Sequence, residues 1–357
     1  IIQSDREKEH IYLHKVPIGV AVGICPWNFP FFVMARKVAA SLITGNTCVI
    51  KPSSEAPNTV MEFADFIQKI ELPPGVLNFV CGAGRTVGNA LSKSPITGII
   101  SLTGSVGAGQ KIMSAAAENI TKVSLELGGK APAIVCADAN LDLALNSIVA
   151  SKVIFSGQVC NCAERVYVED SIYDEFVEKL TKKMSDVTIE DALTGTNADM
   201  SSLVSKAQID KISEMVEFAK KEGAEVLVGG KRPEKFDRGY YYEPTLLTNV
   251  SQQSEIIQEE VFGPVLPVMK FDTLDEAIAL SNDCQFGLTS SIFSENYNNI
   301  MRATNGLHFG ETYVNREHFE AIQGFHAGWK KSGVGGADGK HGMEEYLHTR
   351  VVYAKYY

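Results

Sequence analysis

Short stretches of this chain carry side chains able to do chemistry. Gly157-Gln158-Val159-Cys160 follows an apolar run with helical spacing and precedes a strand-like run, so Cys160 falls at the end of an element, where a thiol is partly exposed. A thiolate with a lowered pKa in that place is a competent nucleophile, and a buried structural thiol fits the same segment. Glu126 lies in Leu125-Glu126-Leu127-Gly128-Gly129-Lys130, between apolar residues at a strand end. A carboxylate there is costly to ionise and suits a general base; an ordinary ion-paired glutamate is the other reading. In Cys25-Pro26-Trp27-Asn28-Phe29-Pro30 two prolines and two aromatics fix the backbone, holding the Asn28 amide either as an oxyanion donor or as a plain turn former. Thr103-Gly104-Ser105-Val106-Gly107-Ala108-Gly109 follows a strand and opens a helix. Its backbone amides suit a dinucleotide phosphate, although glycines at such turns serve tight geometry equally well.

Composition narrows the partners. The 357 residues are 45% apolar and 21% charged, ordinary for a globular protein and too many for one compact core, which predicts at least two domains. A net charge of −10 with no run of Lys and Arg argues against nucleic acid or an anionic membrane. No apolar run approaches the roughly 20 residues that cross a bilayer, and no charged-then-apolar leader opens the chain, so a cytoplasmic location is expected. Seven dispersed cysteines, an odd number, read as reduced thiols. Cys160-Asn161-Cys162 is too tight for a zinc knuckle, and no metal is expected. Cys162 is close enough to Cys160 for a protective disulfide, but simple packing is the favoured reading.

The elements that position these residues follow from periodicity. Strands are predicted at Gly19 to Cys25, Thr47 to Lys51, Val76 to Val80, Thr97 to Leu102 and Lys122 to Leu127. Helices are predicted between them, over Phe31 to Leu42, Pro57 to Ile70, Thr86 to Leu91 and Ser105 to Ile120. Repeated βα units with short links make an α/β doubly wound sheet, whose ligand site lies at the carboxyl ends of the strands, where Asn28, Lys51 and Gly104 cluster. The second half repeats the pattern less cleanly, with helices near Leu141 to Phe155 and Ser205 to Glu222, a strand at Arg165 to Val168, and a surface loop from Asp186 to Ser205. Terminal runs Ile11 to Val16 and Arg350 to Tyr357 read as strands without an evident partner; edge strands of that kind pair between subunits and predict a homo-oligomer, a dimer or tetramer.

Taken together, Pro26-Trp27-Asn28-Phe29-Pro30, Lys51-Pro52-Ser53, Glu126-Leu127-Gly128-Gly129-Lys130, Gly157-Gln158-Val159-Cys160 and Glu260-Val261-Phe262-Gly263-Pro264 resemble the aldehyde dehydrogenase superfamily in order and spacing. The tail from Phe319 to Tyr346, with Gln323-Gly324-Phe325-His326-Ala327-Gly328-Trp329, is most similar to the bacterial lactaldehyde and glycolaldehyde members. The resemblance implies a Rossmann-type NAD(P)-binding domain over 19–126 and a catalytic domain over 127–325. It also implies a small β oligomerisation element built from 1–18 and from the return segment 326–357.

It further implies oxidation of a small aldehyde to its acid with NAD or NADP. Cys160 becomes the nucleophile, Asn28 and the Cys160 amide the oxyanion donors, and Glu126 the base that hydrolyses the thioester. Glu126 argues against a related route in which coenzyme A accepts the acyl group. Lys51 serves both catalysis and the cofactor, and Trp27, Ser53, Ser54, Gly82, Gly104, Ser105, Glu260 and Phe262 complete the cofactor contacts. Arg36, Asn161, Glu320 and His326 match substrate-lining positions, whose polarity suits a short hydroxyaldehyde; read alone, Arg36 and Glu320 are surface charges and His326 a loop histidine. A semialdehyde dehydrogenase, or an inactive shortened homologue with a structural role, remains open.

Departures from the family pattern bear on these expectations. Ser54 stands where NAD-preferring relatives often carry Glu, so dual or NADP-leaning cofactor use is expected. Glu190-Asp191-Ala192 and Ser201-Ser202 replace Gly and Pro punctuated turns. The chain begins where family members already have a large N-terminal portion behind them, so a shortened cofactor domain with exposed apolar surface on its sheet is expected.

Overall fold

The computed structural model describes residues 2, 4–194, 197–316 and 319–357; residues 195 and 196 of the expected surface loop lie outside the described residues. The chain divides into two units, one formed by Ile1–Glu126, Ala321–His326 and Val334–Tyr357, the other by Leu127–Glu320 and Ala327–Gly333. Both units are of mixed α/β type.

In the first unit, strands Lys122–Glu126, Thr97–Thr103, Val20–Ile24, Thr47–Lys51 and Leu77–Phe79 lie side by side in that order, all parallel. Each is short, and Val20–Ile24, Thr47–Lys51, Leu77–Phe79 and Thr97–Thr103 each lead within a few residues to a Pro, Gly or Ser where the chain turns before crossing over and returning parallel. Val20–Ile24 leads outward to Thr47–Lys51, whereas Thr97–Thr103 lies on its other side. The order therefore reverses between Val20–Ile24 and Thr97–Thr103, which opens a crevice beyond their carboxyl ends.

Helix Pro30–Ile43 covers one face of this sheet, with Pro at its first turn, and buries Val33, Met34 and Val38 against Cys48 and Ile50. The expected helix Thr86 to Leu91 is a π-helical turn Gly84–Gly88 running into Asn89–Ser92. The terminal strands, for which sequence offered no partner, are Glu9–Pro17 and Leu347–Lys355, paired antiparallel with each other from Glu9↔Lys355 to Pro17↔Leu347.

The second unit carries a sheet in the order Glu311–Val314, Thr289–Phe293, Pro132–Val135, Arg165–Glu169, Val265–Phe271, Thr245–Thr248, Glu225–Val228, parallel except for the last pairing. Alternation along its strands buries both faces. Ala133, Val135, Val166 and Val168 pack on Leu145, Ile148, Phe176 and Leu180 of one helical layer. Ile134, Tyr167 and Ile292 pack on Ala277, Ile278 and Ala303 of the other. Among the described residues no helix is long and apolar enough to cross a membrane.

Candidate active site

Helix Pro30–Ile43 carries no charge apart from Arg36 and Lys37, and burying its inner face takes both cations out of water. Burial at that cost demands anionic partners. The structure supplies two. Arg36 reaches Glu126 at 3.2 Å through Nη1 and Asp338 at 2.6 Å through Nη2, while Lys37 Nζ lies 3.5 Å from Glu126 and donates to Ser101 Oγ at 2.8 Å. The guanidinium also stands 4.6 Å above the Phe32 ring, one turn back on the same helix.

These contacts correct the sequence expectation for Glu126. Burial pushes its carboxyl up, but the Lys37 ammonium, the Arg36 guanidinium and His326 outweigh burial and hold it below the usual carboxylate range. Nor is Arg36 a surface helix charge. His326, also buried, bridges Ala337 through both backbone groups, at 2.9 and 2.8 Å.

The other first-unit candidates sit at strand ends. Asn28 follows Val20–Ile24 and is 9% exposed. Lys51 ends its strand, 3% exposed, with Nζ donating to the Pro52 carbonyl at 3.0 Å; burial lowers its pKa against the pull of Cys25 and Cys81. Ser53 Oγ accepts from the Glu55 amide at 3.2 Å, and Ser54, exposed, lies 3.5 Å from the Gly82 carbonyl. Trp27 is half-buried in the turn before Asn28.

Gly104 donates to the Glu126 carbonyl at 3.0 Å, and Ser105 caps helix Val106–Ala116 by accepting from Ala108 N. A Cβ built on Gly107 would meet nothing within 4 Å, so open space adjoins the first turn of an 11-residue helix at the sheet's reversal point. A buried lysine, open helix amides and the crevice between reversing strands fit a dinucleotide.

In the second unit Cys160 is half-buried, and the chain reaches it through three consecutive left-handed residues, Phe155 (φ 48), Ser156 (φ 57) and Gly157 (φ 73). For Phe and Ser that conformation is strained by about 1–2 kcal/mol each. Two clamps hold it: Ser156 exchanges hydrogen bonds with Ser201, and Gln158 accepts from the Val204 amide at 3.0 Å. The segment 201–204 belongs to the expected surface loop, which thus acts as a strap. A Cβ on Gly157 would lie 2.2 Å from the Gly263 carbonyl, and one on Gly129 would lie 2.5 Å from that of Cys160; no side chain fits at either.

Asn161, next to the thiol, donates to Glu320 at 2.7 Å, and Glu320 is half-buried rather than a free surface charge. Glu260 accepts from the Gly129 amide at 2.8 Å, and its carboxyl is pushed up to about 7, first by burial and then by Glu164. Phe262 takes φ 58, its carbonyl held by Gln208 at 2.8 Å.

Sequence reasoning missed the group beneath this loop. Glu164, fully buried, accepts from Lys130 at 2.8 Å, Lys152 at 2.9 Å and the Val261 amide at 3.0 Å. Burial pushes its carboxyl up, but the two ammonium groups prevail and hold it at about 2. Cys162 packs in the interior, its thiol pushed up to about 12 by burial. The seven cysteines are free thiols, and no group of three His, Cys, Asp or Glu suited to a metal occurs among the described residues.

Comparison with known proteins fits these motifs. The Aldehyde dehydrogenase family model matches residues 1–352. The chain belongs to the aldehyde dehydrogenase family. As a member it is an oxidoreductase. It is 57% identical to the lactaldehyde dehydrogenase of Escherichia coli, over 99% of this chain and 73% of that protein. To the 3,6-anhydro-alpha-L-galactose dehydrogenase of a Vibrio species it is 44% identical, over 100% and 74%. The crystal structure of the Escherichia coli lactaldehyde dehydrogenase superposes with a TM-score of 0.97 over 99% of this dehydrogenase and 74% of that chain. A structure of 3,6-anhydro-L-galactose dehydrogenase in complex with NAP, 44% identical, gives 0.94 over 99% and 74%.

Proposed function

We propose that this dehydrogenase oxidises a small hydroxyaldehyde, of the lactaldehyde or glycolaldehyde kind, to the carboxylic acid with NAD or NADP, through covalent intermediates on Cys160. The observation that carries this reading is the 57% identity to a lactaldehyde dehydrogenase along 99% of the chain. The strained, doubly clamped turn before Cys160 supports it, because such strain persists where a reacting group must be held.

The Cys160 sulfur bonds to the aldehyde carbon, and the oxyanion that forms is stabilised by the Asn28 amide and the Cys160 N–H. When bound, the dinucleotide supplies the acceptor for the hydride that this carbon loses. Lys51, Trp27, Ser53, Ser54, Gly82, Gly104 and Ser105, with Glu260 and Phe262, would hold it. Water opens the thioester left on Cys160 as Glu126 takes its proton, so that the acid is released and the sulfur leaves as the thiolate that began the cycle. Arg36, Asn161, Glu320 and His326 orient the substrate. The ribbon of Glu9–Pro17 and Leu347–Lys355, with Leu13, Val351 and Tyr353 exposed, supports assembly into a homodimer or tetramer.

The test is rapid mixing with lactaldehyde and either dinucleotide, following reduced nicotinamide. A burst is expected from the unaltered chain, none from Cys160→Ala, and a burst followed by a stall from Glu126→Gln. An undiminished burst in Cys160→Ala refutes the mechanism. Faster turnover of hexanal than of lactaldehyde refutes the substrate class.

A further inference from the structure

Arg36 does not present a bare charge. Its guanidinium lies between two carboxylates, Glu126 at 3.2 Å and Asp338 at 2.6 Å, and the Asp338 side chain is 2% exposed. With Lys37 they set two cations against two anions, beside His326, in a place that water does not screen.

Asp338 is held there against its own backbone preference. It takes φ 68 and ψ 164, a conformation close to glycine-only territory. The segment around His326 imposes it. Ala337 bridges His326 through both backbone groups, the Gly339 amide donates to the Ile322 carbonyl at 3.0 Å, and a Cβ on Gly339 would meet the Gly324 carbonyl at 2.1 Å. Gly342 N donates to the Asp338 carbonyl at 2.8 Å from the other side. A strained, buried carboxylate aimed at one guanidinium contributes little to stability that an apolar residue would not, so its place points to the charge it delivers.

We propose that Asp338 is a specificity-determining residue that cancels the charge of Arg36 and so sets this dehydrogenase to take neutral polar aldehydes and to discriminate against anionic ones. The inference rests on the reading above that Arg36 faces the aldehyde. A guanidinium without an acidic partner beside it attracts a substrate carboxylate. One whose charge is offset by Glu126 and Asp338 still positions a hydroxyl or carbonyl through its N–H groups but offers a much weaker attraction to an anion. Discrimination by charge is then achieved by withholding an attraction rather than by building a clash.

The experiment compares kcat/KM for succinic semialdehyde, an anion, with that for lactaldehyde, a neutral molecule, in the unaltered chain, Asp338→Asn and Asp338→Gly. Asn removes the charge and keeps the shape, whereas Gly accepts φ 68 without strain and removes the carboxylate, so loss of folding does not confound both. Each variant is expected to raise the anion-to-neutral ratio about tenfold or more. A merely structural role would lower both substrates together and leave the ratio unchanged, which overturns the proposal. Arg36→Lys separates the two levels. If it lowers lactaldehyde kcat/KM while the Asp338 variants leave the ratio unmoved, the role of Asp338 alone is wrong; if it changes neither substrate, the reading of Arg36 falls and takes the proposal with it.

Discussion

The Ser156 hydroxyl donates to the Ser201 carbonyl at 2.8 Å and accepts from the Ser201 amide at 3.1 Å, so one side chain satisfies both backbone groups of a residue 45 positions away. Ser156 is buried and left-handed, four residues before Cys160. Replacing it with Gly relieves about 1–2 kcal/mol of backbone strain and removes hydrogen bonds worth a similar amount. For Ser156→Gly the thermal midpoint is therefore expected within about 3 °C of the unaltered chain. The freed turn no longer fixes Cys160, and kcat is expected to fall about tenfold, with a changed rate of Cys160 alkylation by iodoacetamide. A midpoint that drops while both rates hold would make the clamp structural only.

Much of the first unit is legible in sequence because its apolar runs are short and bounded by Gly or Pro. The strand at Thr47–Lys51 ends where Pro52 forces it to, and the helix Pro30–Ile43 starts at a proline suited to its first turn. Pairing is another matter. Nothing in the residues from Glu9 to Pro17 specifies Leu347–Lys355 as their partner, since register between distant segments is set by the intervening fold.

Electrostatics are equally hidden. Glu126 looks costly to ionise until Arg36 and Lys37, 90 residues back for the former, fold against it. Glu164 reads as an ordinary charge beside Arg165, and only the fold brings Lys130, 34 residues away, and Lys152, 12 away, onto it. The sequence signal that does exist is the adjacent pair of cations in an otherwise uncharged helix, Arg36-Lys37, whose burial requires carboxylates to be found somewhere.

Removing Glu164 leaves two fully buried ammonium groups without a counter-charge. Glu164→Ala is expected to cost about 3–5 kcal/mol in urea unfolding. The pH dependence follows from its carboxyl being held at about 2, below the usual 4.5. A depressed carboxyl contributes stability that is present above about pH 4.5 and lost as pH falls towards about 2. The stability gap between the unaltered chain and Glu164→Gln should thus stay constant from about pH 8 to about pH 5 and narrow below that. A gap that narrows instead on the alkaline side would contradict the ion-pair assignment.

Glu126 is ionised across the working range, because Lys37 and Arg36 outweigh its burial and hold it low. If it is the base for thioester hydrolysis, the post-burst rate should be level from about pH 8 down to about pH 5.5, without an acid limb near neutrality. Stopped-flow traces at constant ionic strength measure this directly. An acid limb with its midpoint near pH 7 in the post-burst rate would mean that the ion pairs do not hold the carboxyl low.

Cofactor choice turns on residue 54. Ser54 is exposed and uncharged, its hydroxyl 3.5 Å from the Gly82 carbonyl, and so brings no carboxylate to repel a ribose phosphate. Under the proposed cofactor placement the chain should turn over with NADP as well as NAD. Ser54→Glu should lower kcat/KM for NADP about tenfold and leave NAD within about twofold, the modest size reflecting solvent screening at an exposed position. Glu55, adjacent and tied back through its amide to Ser53 Oγ at 3.2 Å, is the competing carboxylate. Steady-state rates with each dinucleotide at equal concentration decide between them: if the unaltered chain uses NAD exclusively and Glu55→Gln admits NADP, then Glu55 rather than the residue before it sets the preference.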